Sequence, residues 1–184
     1  MHPRWFPDLR SVVSTLLALL LLFSASTSVV SAQAEHLSII REKLQADFEG
    51  IVDTYEGVAG IHVLDLTTGD RFSVQDDLLF PQASAIKIPI LIELFRRAES
   101  EPDLLRKRIE LTDEVRTAGS GVLQVLTDRG SALALEDYAI YMIVHSDNTA
   151  TNVLIDELGM DAINALSASL GATQTLLQRK MIRP

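Results

Sequence analysis

Hydrophobic residues recur along this chain with two different periods, and the order in which the periods change restricts the fold more than any other feature. Across residues 35–55, Leu37, Ile40, Leu44, Phe48, Ile51, Val52 and Tyr55 recur at three- and four-residue steps. That is the spacing of an amphipathic helix, which Gly57 ends. Residues 58–66 read as a β-run around Ile61, Val63 and Leu64. Thr67-Thr68-Gly69-Asp70 is a turn signal, and Arg71 to Val74 the returning strand of a hairpin. A helix followed by a hairpin predicts that the helix packs on one sheet face. From residue 84 onward the pattern is helical, over 85–97, 135–145, 148–158 closed by Gly159, and 161–170 closed by Gly171. The first two of these are apolar enough to predict burial on most sides. Residues 111–121 read as a loop ending in Gly119-Ser120-Gly121. A two-stranded hairpin is marginal alone, and no later segment reads as a strand. The chain stops at Met181-Ile182-Arg183-Pro184 with no terminating element, so the expectation is a C-terminally truncated sequence.

The first 34 residues belong to a different class. Arg4 and Arg10 precede an apolar stretch from Val12 to Phe23, and small residues lead to Ala32-Gln33-Ala34. This is the three-part pattern of a secretory signal peptide with an Ala-x-Ala cleavage site. The stretch is short for a membrane span of about 20 residues. The expected arrangement is therefore a signal peptide over 1–34 and one catalytic domain over 35–184, working in the periplasm or outside the cell. Membrane attachment would arise only if the signal were left uncleaved.

With 184 residues and 47 % hydrophobic content, the chain can bury a real core. Its net charge of −9 without basic runs argues against nucleic acid as a partner. It has no cysteine, which excludes disulfides, thiol nucleophiles and Cys-based zinc sites. His2, His36, His62 and His145 are scattered, so no metal is expected, and nothing calls for a cofactor.

Two short polar constellations interrupt the apolar helices. In Ser84-Ala85-Ile86-Lys87 the hydroxyl and the amine lie one helical turn apart. Serine becomes a nucleophile when a base stands within hydrogen-bond reach. Lysine can be that base when burial lowers its pKa, and Ile86, Ile88, Ile90 and Leu91 supply an apolar setting. Taken alone, the same four residues also suit a capping serine and a snorkelling lysine. Pro89 removes a helical hydrogen bond, which predicts an irregular or 3₁₀ first turn. The second constellation, Ser146-Asp147-Asn148, sits between two apolar helices, where Asp147 or Asn148 can cap the next one.

Together the two motifs resemble the class A serine β-lactamase family, whose signature is S-x-x-K, S-D-N and K-T-G. The string from Met142 to Asn152 and the 62-residue step from Ser84 to Ser146 carry the likeness, which extends over residues 36–184. The resemblance implies an α+β fold: a helical domain beside an antiparallel sheet, here partial, with the C-terminal strands missing. It implies that Ser84 is the acylated nucleophile, Lys87 the amine sharing its proton network, and Ser146 the hydroxyl relaying a proton to the lactam nitrogen. Asn148 would contact the antibiotic's side-chain amide, and Asp147 would cap the following helix. Asn152 would steady the loop that carries the deacylating Glu. Ser84 N–H and a donor on a later strand would form the oxyanion hole, and Gly119-Ser120-Gly121 would line the mouth of the site. The partner would be a small β-lactam, the full-length protein a monomer, and its product antibiotic resistance.

Two departures bear on activity. None of Lys43, Lys87, Lys107 and Lys180 precedes Thr-Gly, so K-T-G is absent from these residues; in the family it lies on a strand well beyond residue 184. Thr175 to Arg179 resembles the start of the omega loop, and the family's Glu is expected within a few residues of Arg179; Lys180 and Met181 follow instead, so either the Glu lies past Pro184 or it is missing from its usual place. The chain as it stands is therefore expected to be nearly inactive. Two alternatives share the nucleophile: a hydrolase of D-alanyl peptides or other small amides and esters, and a penicillin-binding sensor that acylates without turnover.

Overall fold

The computed structural model describes Ser14 and residues 35–127 and 130–182; the signal-peptide reading thus lies, apart from Ser14, outside the described residues. Two compact units divide at Leu78 and Leu79. Among the described residues no helix is long and apolar enough to cross a membrane.

In the first unit, helix α1 (35–54) is followed by strands β1 (Ile61–Leu64) and β2 (Arg71–Val74). The strands pair antiparallel with Ile61 opposite Val74 and Leu64 opposite Arg71. Asp65 shapes the turn. Its carboxylate accepts from Thr67 N (2.7 Å) and Thr68 N (3.2 Å), and these backbone donors hold its pKa below the usual carboxylate value. Helix α1 lies against the hairpin as its periodicity predicts. Phe48 meets Phe72 edge to face at 6.2 Å, and Arg41 Nε donates to Asp70 at 2.7 Å. The apolar stripe is only partly covered: Val52 is buried, while Leu37, Ile40, Ile51 and Tyr55 remain exposed.

The second unit opens with a 3₁₀ turn (Ala83–Ile86) leading into α2 (Lys87–Ala98). Pro89 falls in the first turn of α2, where its missing N–H costs no intrahelical bond. Strand β3 (Arg108–Glu110) and strand β4 (Ala132–Ala134) follow, then α3 (Leu135–Val144), α4 (Asn148–Leu158) and α5 (Met160–Ser169). Ile86, Ile90 and Leu94 of the turn and α2 pack with Leu135, Tyr138 and Met142 of α3, Ala150, Val153 and Leu154 of α4, and Ile163 of α5.

The structure corrects the sequence reading in two places. A second antiparallel pair exists, β3 with β4, with Arg108 opposite Ala134 and Glu110 opposite Ala132. Three-residue strands, one of them Ala-Leu-Ala, are too short to show a two-residue period. Helices α2 and α3 are also less enclosed than their composition predicts. Ile88, Ile92 and Phe95 of α2 and Ile140, Ile143 and Val144 of α3 are exposed. Core packing uses one stripe of each helix and leaves the other uncovered.

Candidate active site

Among the described residues, those of the candidate site come from the second unit. Ser84 lies in the 3₁₀ turn, Lys87 opens α2, and Ser146 sits in the turn between α3 and α4. Three elements thereby converge. Ser84 Oγ and Ser146 Oγ are 2.8 Å apart. Lys87 Nζ donates to Ser146 O (2.7 Å), Ser146 Oγ (2.8 Å) and Ser84 Oγ (3.2 Å), with Asn148 Oδ1 farther off at 3.4 Å.

Backbone strain helps to aim these groups. Ser146 has φ +50° and Ala83, immediately before Ser84, φ +46°. Left-handed geometry costs a residue with a Cβ about 1–2 kcal/mol, so the surrounding packing must hold both. At Ser146 this conformation turns carbonyl and hydroxyl together onto the Lys87 ammonium. Strain of this kind has no composition signal, and the sequence reading missed it.

Lys87 is 2 % exposed. Burial pushes its pKa down from the ordinary lysine value, and the negative charge of Asp147 partly opposes that shift. A larger share of the amine is therefore neutral than in water. Next to a serine hydroxyl, such an amine can take a proton.

Asp147 ties the turn to its neighbours. Its Oδ1 accepts from Ala150 N (3.0 Å) and caps α4, while Oδ2 accepts from Leu123 N (2.8 Å). The 119–121 segment runs against it closely enough to need glycine. A Cβ on Gly121 would lie 2.5 Å from Asp147 Cα, and one on Gly119 would lie 2.8 Å from Asn148 Nδ2. Asn148 N donates to Ser120 O (3.0 Å), and its Nδ2 donates to Ala118 O (3.2 Å).

Asn152, one turn further along α4, points at a different loop. Its Oδ1 accepts from Met181 N (2.8 Å), and its Nδ2 donates to Met181 O (3.2 Å) and Thr117 Oγ1 (3.0 Å). Asn164 on α5 makes the same two-point contact with Leu177, accepting from its N at 2.7 Å and donating to its O at 3.0 Å. The sequence reading overlooked Asn164, because one amide in an amphipathic helix carries no signal. Among the described residues no group of three or more His, Asp or Glu could hold a metal ion.

The sequence model of the beta-lactamase enzyme family matches residues 42–183. Beta-lactamase L2 of Stenotrophomonas maltophilia is 29 % identical over 126 residues, 68 % of this chain and 41 % of that protein. Beta-lactamase CTX-M-97 of Escherichia coli is 25 % identical over 171 residues, 92 % of this chain and 55 % of the relative. Among solved structures, a beta-lactamase from Sphaerobacter thermophilus superposes with a TM-score of 0.69 at 38 % identity, covering 74 % of this chain and 51 % of that one. PBP-A does so with a TM-score of 0.70 at 30 % identity, covering 76 % and 53 %. The chain spans about half the length of the curated relatives it matches. Its α+β fold, read from the sequence through the class A resemblance, is the fold of these structures.

Proposed function

The chain belongs to the beta-lactamase enzyme family, and on that premise we propose that it is a serine hydrolase that opens β-lactam rings by acyl transfer to Ser84. One observation carries the reading: the Ser84 hydroxyl, the buried Lys87 amine and the Ser146 hydroxyl form one hydrogen-bonded triangle. Neutral Lys87 takes the Ser84 proton as Oγ bonds to the lactam carbonyl carbon. Ser84 N–H donates to the developing oxyanion. As the C–N bond breaks, Ser146 passes its proton to the ring nitrogen and regains one from Lys87, so the network ends neutral. Water then cleaves the ester and frees Ser84. Asn148, whose Nδ2 carries a second hydrogen beyond the one given to Ala118 O, meets the antibiotic's side-chain carbonyl. Asp147 and Asn152 position this machinery without touching substrate.

A variant of the structural relative PBP-A has been solved as an acyl-enzyme complex with penicillin G, which supports the same covalent step here. The protein would act as an exported monomer in the periplasm or outside the cell. Destroying β-lactams there is the chemistry of antibiotic resistance. The test is intact-protein mass spectrometry of the full-length protein with a penicillin. The expected result is a gain of one whole penicillin, mapped to Ser84 and absent in Ser84→Ala. An adduct that survives in Ser84→Ala would place the nucleophile elsewhere.

A further inference from the structure

We propose, building on the acylation of Ser84, that Met181 sets the lifetime of the acyl-enzyme: it fills the place from which a base would activate the hydrolytic water, so the ester on Ser84 turns over slowly.

The argument begins with the position of residue 181. Asn148, which approaches Lys87, and Asn152 lie one turn apart on α4. The Asn152 carboxamide grips both the N–H and the carbonyl of Met181. Leu177 is gripped in the same way by Asn164. The segment from 177 to 181 is thus pinned at both ends against the helices that build the site. The next residue, Ile182, lies beside the place where a Cβ on Gly119 would stand, 3.6 Å away, next to the Asn148 amide. Met181 and Ile182 therefore form a wall of the site rather than a loose tail.

A cleft of about 470 Å³ opens between this segment and the nucleophile's own turn. It is lined by Phe80, Ala83 and Ile86 on one side and by Leu177, Met181 and Ile182 on the other. Its charged lining residues among those described are Arg179 and Lys180, both cationic. Among the described residues that line this cleft, which include Ala83 next to Ser84, none is a carboxylate. Asp147 does not serve instead, because it is 1 % exposed and both its oxygens accept backbone N–H groups. The Lys87–Ser146 pair is on the face where the ring nitrogen received its proton. In an opened β-lactam that nitrogen stays tethered to the acyl group and keeps water from that face.

Deacylation requires a water oxygen to bond to the ester carbon while its proton passes to a base. The carbon–Oγ bond then breaks, and Oγ recovers the proton. A positioned base contributes about 10²–10⁴-fold to such a step. Met181 offers none.

The experiment follows release as well as capture in the full-length protein. With a chromogenic cephalosporin the wild type is expected to give a burst of one equivalent and then a slow rate, with the penicillin adduct persisting by mass spectrometry. M181E is expected to release product at least about 10²-fold faster, and M181Q, isosteric but uncharged, to gain nothing. Because Asn152 holds the backbone of residue 181, neither substitution removes the clamp. Burst-free, rapid turnover by the wild type that Ser84→Ala abolishes would overturn this proposal and leave the acylation reading standing. So would an M181E protein that acylates but releases no faster. Absence of any Ser84 adduct or product would overturn the acylation reading itself. If M181E fails to fold, the wild-type adduct lifetime decides: persistence supports the proposal and prompt loss refutes it.

Discussion

Gly121→Ala tests whether the α3–α4 turn is held by the loop that crosses it. Gly121 has φ +112°, a region that side chains with a Cβ rarely enter. The added methyl would lie 2.5 Å from the Cα of Asp147 and closer still to its carboxylate. That carboxylate cannot simply rotate away, since it caps α4 through Ala150 N and satisfies Leu123 N. Losing the cap costs about 1 kcal/mol. Losing a buried bond to a charged acceptor costs about 1.5–3 kcal/mol, and backbone strain adds about 1–3 kcal/mol. The sum, about 3.5–7 kcal/mol, is a large part of the roughly 5–15 kcal/mol that holds an ordinary domain folded. The assay is urea unfolding of the full-length protein, with the Ser84 acylation rate measured alongside. Gly50→Ala in α1 is the control: it has open space and no positive φ, and should stabilise by about 0.5–1 kcal/mol. If Gly121→Ala loses less than about 1 kcal/mol, within the range of ordinary substitutions, the loop does not hold Asp147.

Ser146→Ala should slow acylation by about 10²–10⁴-fold, the contribution of one positioned proton-transfer group. Ser146→Gly should be equally slow but about 1 kcal/mol more stable than the alanine variant, because glycine relieves the φ of +50°; melting temperatures of equal height would contradict the strain argument. Lys87 makes a prediction in pH. Its pKa is lowered on folding, so between the lowered value and the ordinary 10.5 the unfolded chain binds more protons than the folded one. Stability relative to Lys87→Met should therefore rise with pH across that window, and a flat or falling difference in urea titrations would show that Lys87 is not desolvated. The acylation rate should rise as pH climbs to the lowered value and level off above it, as the folded amine becomes neutral.

The Ser84–Lys87 contact was legible because S-x-x-K fixes its own geometry: three residues of helix put the two side chains together whatever the remainder does. Closing the triangle with Ser146 was legible only through the family resemblance, since nothing within the chain marks residues 62 apart as neighbours. The strands β3 and β4 were hidden by their shortness. The left-handed residues Ala83 and Ser146 were hidden because neither is Gly, Asn or Asp, so local propensity points away from the conformation that tertiary packing imposes.

Helix α4 shows most clearly why part of the site escaped a pattern-based reading. Its apolar residues Ala150, Val153, Leu154 and Leu158 form the expected core stripe. Its polar residues Asn148, Thr149, Thr151 and Asn152 would, by binary pattern, face water. All four are buried. Asn148 holds the Ala118 carbonyl, Thr149 accepts from Thr117 N at 2.9 Å, and Thr151 donates to Asp147 O at 2.7 Å. Asn152 holds Thr117 and Met181. The polar stripe is thus turned inward and fastens the 117–120 loop, the cap and the 181 segment to one rigid element. Each of these bonds would be weak evidence of design if exposed. Buried, the bonds to Ala118 O and Thr117 N leave an unsatisfied backbone group when removed, at about 1–3 kcal/mol apiece. The surroundings of Ser84 are consequently fixed by a helix that does not carry it. Placing the same side chains on a solvated helix would keep the S-x-x-K pair and lose the site.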